Sequence, residues 1–174
     1  TSADGQEWNV QLTDDLLLSL SIASSPDLFA VTGLGGIILT SSDGISWTRQ
    51  SSGVYEELHD VVFGSNMLVA VGNNGTIMTS PDGLIWLVRN SGISNHLWGV
   101  TYGNKTYIAV GDNGTILRSS NGVNWSLEPV PISNRLKAVT FGDGQFTIVG
   151  EKGIILTSGD GRDWQVVESD ATST

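Results

Sequence analysis

The sequence predicts an all-β protein made of one four-stranded unit repeated four times, and three observations carry that prediction. Five tryptophans (Trp8, Trp47, Trp86, Trp125 and Trp164) stand 39 residues apart and close the phrases TSADGQEW, TSSDGISW, TSPDGLIW, RSSNGVNW and TSGDGRDW. The stretch before each phrase repeats too, as LHDVVFGSNMLVAVGNNGTIMTS, LWGVTYGNKTYIAVGDNGTILRS and LKAVTFGDGQFTIVGEKGIILTS, with a weaker copy at 19–41. Turn-forming residues return at fixed phase between short apolar runs, and no segment keeps a helical period. A period near 40 of this kind marks a repeat architecture.

Each unit reads as four strands in order. In LxxVxFG the apolar residues Val61 and Phe63 follow the two-residue period of a strand. A turn at 64–66 leads to MLVAVG. The next turn, Gly72-Asn73-Asn74-Gly75, offers residues that accept positive φ, as tight hairpins require. TIMTS is the third strand, and after the Asp-Gly turn an outer strand is expected at 45–50, 84–89, 123–128 and 162–167. The segment TDDLLLSL at 13–20 is too short for a helix of its own and falls where the repeat calls for strand and loop. Nearly all-apolar runs such as VVF and LVAV suit sheets covered on both faces. Four-stranded units of this length stack radially as the blades of a β-propeller, each covering its neighbours.

These readings give one repeat domain over 1–174, with blades at about 12–50, 51–89, 90–128 and 129–167 and a tail at 168–174. Residues 1–11 form a spare outer strand without inner strands of its own. A spare strand exposes a hydrogen-bonding edge. Two outcomes follow: the chain is part of a larger propeller, or copies associate as a homodimer whose strands complete shared blades. A closed four-bladed monomer is the competing arrangement. Because the chain begins inside a repeat phrase, it is expected to be a processed or excised piece.

At the phrase itself the chain resembles the Asp-box, or BNR, repeat of sialidase-like propellers. That pattern is S-x-D-x-G-x-x-W, and here it is one residue shorter, as in Ser41-Ser42-Asp43-Gly44-Ile45-Ser46-Trp47. The resemblance covers almost the whole chain. It implies that Asp4, Asp43, Asp82, Asn121 and Asp160 are structural turn residues away from any active site. Physical chemistry gives the same answer, since a carboxylate in Ser-x-Asp-Gly can accept backbone N–H groups of its own turn. Asn121 can do that job without charge, whereas a calcium site would suffer from losing a carboxylate. No metal site is assigned, and no cofactor.

Composition narrows the function. With 18 acidic against 8 basic residues the net charge is −10, which disfavours nucleic acid and anionic membranes as partners. Cysteine is absent, so neither disulfides nor thiolate chemistry can be proposed. No apolar run reaches the length of a membrane-spanning helix. A sialidase needs converging arginines, a tyrosine nucleophile and an acid. Here Tyr102 and Tyr107 occupy repeat core positions, and only Tyr55, beside Glu56 and Glu57, lies in a loop. Adjacent glutamates need not converge on one glycosidic bond. The chain is therefore read as not an enzyme, and an extracytoplasmic location is favoured.

The positions that differ between copies are the candidate site, because a repeat scaffold leaves them free. Before each first strand stand Leu18, Glu57, His96 and Arg135, and two residues later Leu20, His59, Trp98 and Lys137. First strands line a propeller channel, so these residues are expected at one mouth. Trp98 is the one tryptophan outside the repeat phrase and is expected to be more exposed than Trp47, Trp86 and Trp125. Glu57, His59, His96, Trp98, Arg135 and Lys137 are the candidate ligand-binding residues. The function expected is a non-enzymatic binding or assembly scaffold for a protein or glycan. The alternative is a non-catalytic module of a larger sialidase-like or other carbohydrate-active extracellular protein.

Overall fold

In the computed structural model the described residues are 2, 5–7 and 19–167. Asp4, Trp8, Leu18 and most of the expected spare strand therefore lie outside them. Among the described residues sixteen strands form four antiparallel sheets, each in simple sequential order: β1–β4, β5–β8, β9–β12 and β13–β16. The fold is an all-β, propeller-type array of four blades.

The second blade shows how the sequence builds each one. Strand β5 (Leu58–Gly64) turns through Ser65 and Asn66, with φ of 46° and 59°, into β6 (Met67–Gly72). Two central residues at positive φ give a hairpin whose twist matches its strands. The next turn repeats the device, with Asn74 at 56° and Gly75 at 68°, and leads into β7 (Ile77–Ser80). The outermost strand, β8, is only Leu87–Arg89. The other blades follow the same plan, with inner strands β1 (Ser19–Ser24), β9 (Leu97–Gly103) and β13 (Leu136–Gly142). Their second strands are β2 (Phe29–Gly33), β10 (Thr106–Gly111) and β14 (Gln145–Gly150). Their third strands are β3 (Ile38–Ser41), β11 (Ile116–Ser119) and β15 (Ile155–Ser158).

The outer strands are shorter than the sequence suggested. They are β4 (Thr48–Gln50), β8, β12 (Ser126–Leu127) and β16 (Gln165–Val167), each beginning just after the tryptophan rather than two residues before it. The reason is the aspartate turn, which captures the backbone that a longer strand would need. Asp43 Oδ1 accepts the N–H groups of Ile45 and Ser46 at 2.8 and 2.7 Å, and Ser41 Oγ accepts that of Gly44 at 2.8 Å. Asp82 and Asp160 do the same, and Asn121 accepts from Val123 and Asn124 at 2.9 Å each. The tryptophan then closes the turn: Trp86 Nε1 donates to Gly83 O at 3.0 Å and Trp125 Nε1 to Gly122 O at 2.9 Å.

The core lies between blades. Ala30 and Ile38 of the first pack with Leu58, Leu68 and Trp86 of the second; Val69, Val71 and Ile77 of the second pack with Leu97, Tyr107 and Leu117 of the third. Ile108, Val110 and Ile116 then meet Leu136, Phe146 and Leu156 of the fourth. The inner strands pack in the series β1, β5, β9, β13, and among the described residues no extended contact returns from β13 to β1. Over the described residues the array is an open arc.

Candidate functional site

Every inner strand carries a β-bulge at the same place. In pairing with the second strand, the register skips Leu20, His59, Trp98 and Lys137, one residue per blade. A bulge leaves its extra residue unpaired and re-aims the side chain. Repetition thus directs four non-identical side chains to one mouth of the channel. The residues just before the inner strands are fixed by their own carbonyls: Glu57, His96 and Arg135 O accept the N–H groups of Asn73, Asp112 and Glu151 at 2.9, 3.0 and 2.8 Å.

The cluster that results is organised around Trp98. His59 stacks on its ring at 4.3 Å between centroids and 25° between planes, and His96 lies tilted at 6.1 Å. The Arg135 guanidinium carbon sits over the same ring at 5.1 Å, within cation–π range. Asp112 Oδ1 ties the group together, accepting Trp98 Nε1–H at 2.9 Å and Arg135 Nε–H at 2.6 Å. Burial pushes the Asp112 carboxyl up, but the Trp98 and Arg135 hydrogen bonds, with the charges of Arg135 and His96, outweigh it and hold the group below the usual range. On the other side His59 Nε2 lies 2.7 Å from Asn73 Oδ1, and Asn73 Nδ2 donates to Glu57 Oε2 at 3.3 Å. That orientation of the amide places the histidine proton on Nε2. His96 Nδ1 accepts the N–H of Asn74 at 3.2 Å.

An open cleft of about 380 Å3 is lined by Leu20, His59, Trp98, Arg135 and Lys137. Of the six candidates from sequence, four line it directly. Glu57 joins through Asn73, and His96 borders Trp98 without lining the cleft. Trp98 is half-buried, in the same broad range as Trp47 and Trp125, so the expected contrast separates it only from the buried Trp86. Its neighbours explain this, since a histidine and a guanidinium cover the ring. Equivalence of the repeat tryptophans fails, as Trp86 alone among the described ones is fully buried, at 6% exposure.

The sequence reading missed Asn73 and Asp112. They hold one repeat position (Leu34, Asn73, Asp112, Glu151) whose variation was legible, but turn-forming ability concealed it. Glu151 belongs to the same set and lies 3.7 Å from Arg135 Nη1 and 3.8 Å from Lys137 Nζ. Asp60, one residue after the bulge in β5, was also missed. Its Oδ1 accepts Ser21 Oγ–H at 2.6 Å and its Oδ2 accepts Val100 N–H at 2.8 Å, so it bridges three blades. Of the five arginines only Arg135 lines the cleft, and Tyr55 projects into solvent at 93% exposure. No group of three metal-ligating side chains occurs among the described residues. No described helix is long and apolar enough to cross a membrane.

No protein-family model matches the chain, and no curated protein matches it. Solved structures do. YCF48 from Cyanidioschyzon merolae aligns with a TM-score of 0.67 at 18% identity, over 88% of this chain and 57% of that one. A structure of YCF48 bound to D1 peptide aligns at 0.68 and 16% identity, over 94% and 59%. The computationally designed Ika4 protein aligns at 0.65 and 14% identity, over 80% and 89%. The chain thus spans less than two thirds of either YCF48 structure. At these identities the likeness establishes the propeller-type fold and leaves the chemistry of the mouth to be argued from its own residues.

Proposed function

We propose that this protein is a non-enzymatic binding scaffold that takes a peptide segment of a partner protein at the bulge-lined mouth. The observation that carries the reading is the convergence of four equivalent bulge residues, each different, on one cleft. A scaffold that needed those side chains only for stability would repeat them, as it repeats the aspartate turns. The cleft offers mixed chemistry over a short span: apolar Leu20, an imidazole, an indole and two cations, whose carboxylate partners Asp112 and Glu151 stand beside it. Backbone amides and alternating side chains of a peptide suit such a surface. The solved neighbour with a bound D1 peptide supports a peptide as the ligand class. A glycan is less suited, because His59 and Arg135 occupy the Trp98 ring that a sugar would stack on. The serine–aspartate turn geometry further supports kinship with Asp-box repeats.

The test is selection of peptides from a displayed random library, with a glycan array run in parallel. Recovered peptides are expected to lose binding to Trp98→Ala and to Arg135→Ala while both variants melt as cooperatively as the parent. Peptides indifferent to both substitutions, or glycan hits that depend on Trp98, would sink the reading.

A further inference from the structure

The two junctions that join the second, third and fourth blades use the same parts, so the faces left uncovered at the two ends of the arc specify what should cover them. Where blades meet, the glycine ending one inner strand lies under an aromatic ring of the next blade: Gly64 under Tyr102 and Gly103 under Phe141, so close that a Cβ would overlap the ring. A second ring packs beside the first, Tyr107 at 4.5 Å from Tyr102 and Phe146 at 4.7 Å from Phe141. The Tyr107 hydroxyl donates to Gly64 O, fixing that ring on the hairpin of the preceding blade. On the fourth blade the equivalent glycine is Gly142, and nothing lies within 4 Å of where its Cβ would stand. Val149, equivalent to the fully buried Val71 and Val110, is 43% exposed.

The first blade shows the matching deficit on its opposite face. Ile22 is equivalent to Val61 and Val100, which are buried, yet it is 59% exposed. Phe29 stands where Tyr107 and Phe146 are completely buried, and is 38% exposed. Ser24 replaces the first ring of the pair, leaving Phe29 free to lean over a bare glycine. One end therefore presents an empty socket and the other an unburied ring, and among the described residues β13 and β1 make no extended contact.

We propose that two copies of this chain close head to tail, the fourth blade of each packing on the first blade of the other, with Phe29 of one copy seated on the Gly142 hairpin beside Val149 of its partner. Two such contacts are related by a twofold axis and leave neither end uncovered, as closed symmetry requires. In that ring both arcs of bulge side chains face one channel. The chain's charge of −10 opposes association, so added salt should tighten it.

The experiment is sedimentation equilibrium of the full chain, of Val149→Lys and of Phe29→Asp, with melting curves as the folding control. The parent is expected at twice the monomer mass, more completely at high salt, and each variant at the monomer mass with a single cooperative melt at or below the parent's, since the stabilisation from association is lost. Mixing the two variants should restore the double mass, because one junction then pairs Lys with Asp and the other is wholly parental. A parent that stays monomeric at every concentration overturns the proposal. So does a dimer that survives both substitutions, or a mixture that remains monomeric, since the contact would then lie elsewhere or not be head to tail.

Discussion

At the aspartate turns one oxygen is shared between two backbone N–H groups, and this sharing governs the acid's ionisation. In Asp43 the bonds from Ser46 and Ile45, with the Ser41 hydroxyl, draw the carboxyl down to about 2 from 3.8. The folded value lies below the unfolded one. The stabilisation is therefore complete above the unfolded pKa and disappears as pH falls through about 2. Asp82 and Asp160 shift in the same direction, chiefly through the N–H groups of Leu84 and Ile85 and of Arg162 and Asp163. Asp82→Ala is expected to lower the melting temperature at pH 7, while Asp82→Asn should nearly preserve it, because Asn121 already does this work. If both variants melt alike, the oxygen is not what holds the turn. Asp60 behaves oppositely, as burial raises its carboxyl against the bonds from Ser21, Val100 and Val61. Raised in the fold, it favours the native state more when protonated, so ionisation costs stability as pH rises through the folded pKa. Both oxygens are nonetheless used as acceptors, and Asp60→Asn would set an N–H against the Val100 or the Ser21 donor. Loss of about 1–3 kcal/mol is expected from denaturant titration at pH 7. A variant as stable as the parent would mean that relief of the buried charge offsets the lost acceptor.

Among elements, the inner strand with its bulge links fold to candidate function. The bulge aims Trp98 at the mouth, and the turn that follows the second strand supplies Asp112 to hold it. These two pieces are kept in register by backbone packed on backbone: a Cβ at Gly111 would strike the carbonyl of His96, as one at Gly72 would strike that of Glu57. Gly111 has φ of −162°, ordinary extended geometry, so the need for glycine is steric. Gly111→Ala is expected to destabilise the chain and to displace His96 and Trp98 together. Indole fluorescence of Trp98, in a background lacking the other tryptophans one at a time, should shift in that variant. An unshifted spectrum with normal stability would mean that the carbonyl moves aside freely. The tryptophan turn is the other fixed piece. Trp86→Ala should cost about 3–5 kcal/mol, as for large buried aromatics, measured by denaturant unfolding.

Over the whole molecule, stability is distributed by neighbours, since each blade buries its apolar faces only against the next. The second and third blades are covered on both faces; the fourth leaves Val149 exposed where Val71 and Val110 are buried. Amide exchange should therefore be slowest in β6 and β10 and measurably faster in β14. Uniform protection across these three strands would show that the array opens as one unit, or that its ends are covered in solution. Dilution of the protein distinguishes the two, because only cover supplied by a second copy is lost at low concentration.

Period, turn chemistry and core alternation were legible in the sequence because each is local: a 39-residue repeat fixes which residues recur, and positive-φ turns and two-residue alternation are read within a few positions. So the four blades, the aspartate turns and the bulk of the mouth residues could be named from the chain alone. Strand length in the outer position could not, since hydrogen bonds from Asp43 and its equivalents compete with strand pairing in three dimensions. Nor could the burial of Trp98, which depends on His59 and Arg135 arriving from blades 39 and 37 residues away. Tertiary structure also decided that the described blades form an open arc. Closure depends on the small rotation between successive blades, a quantity set by packing at every interface at once and written at no single position.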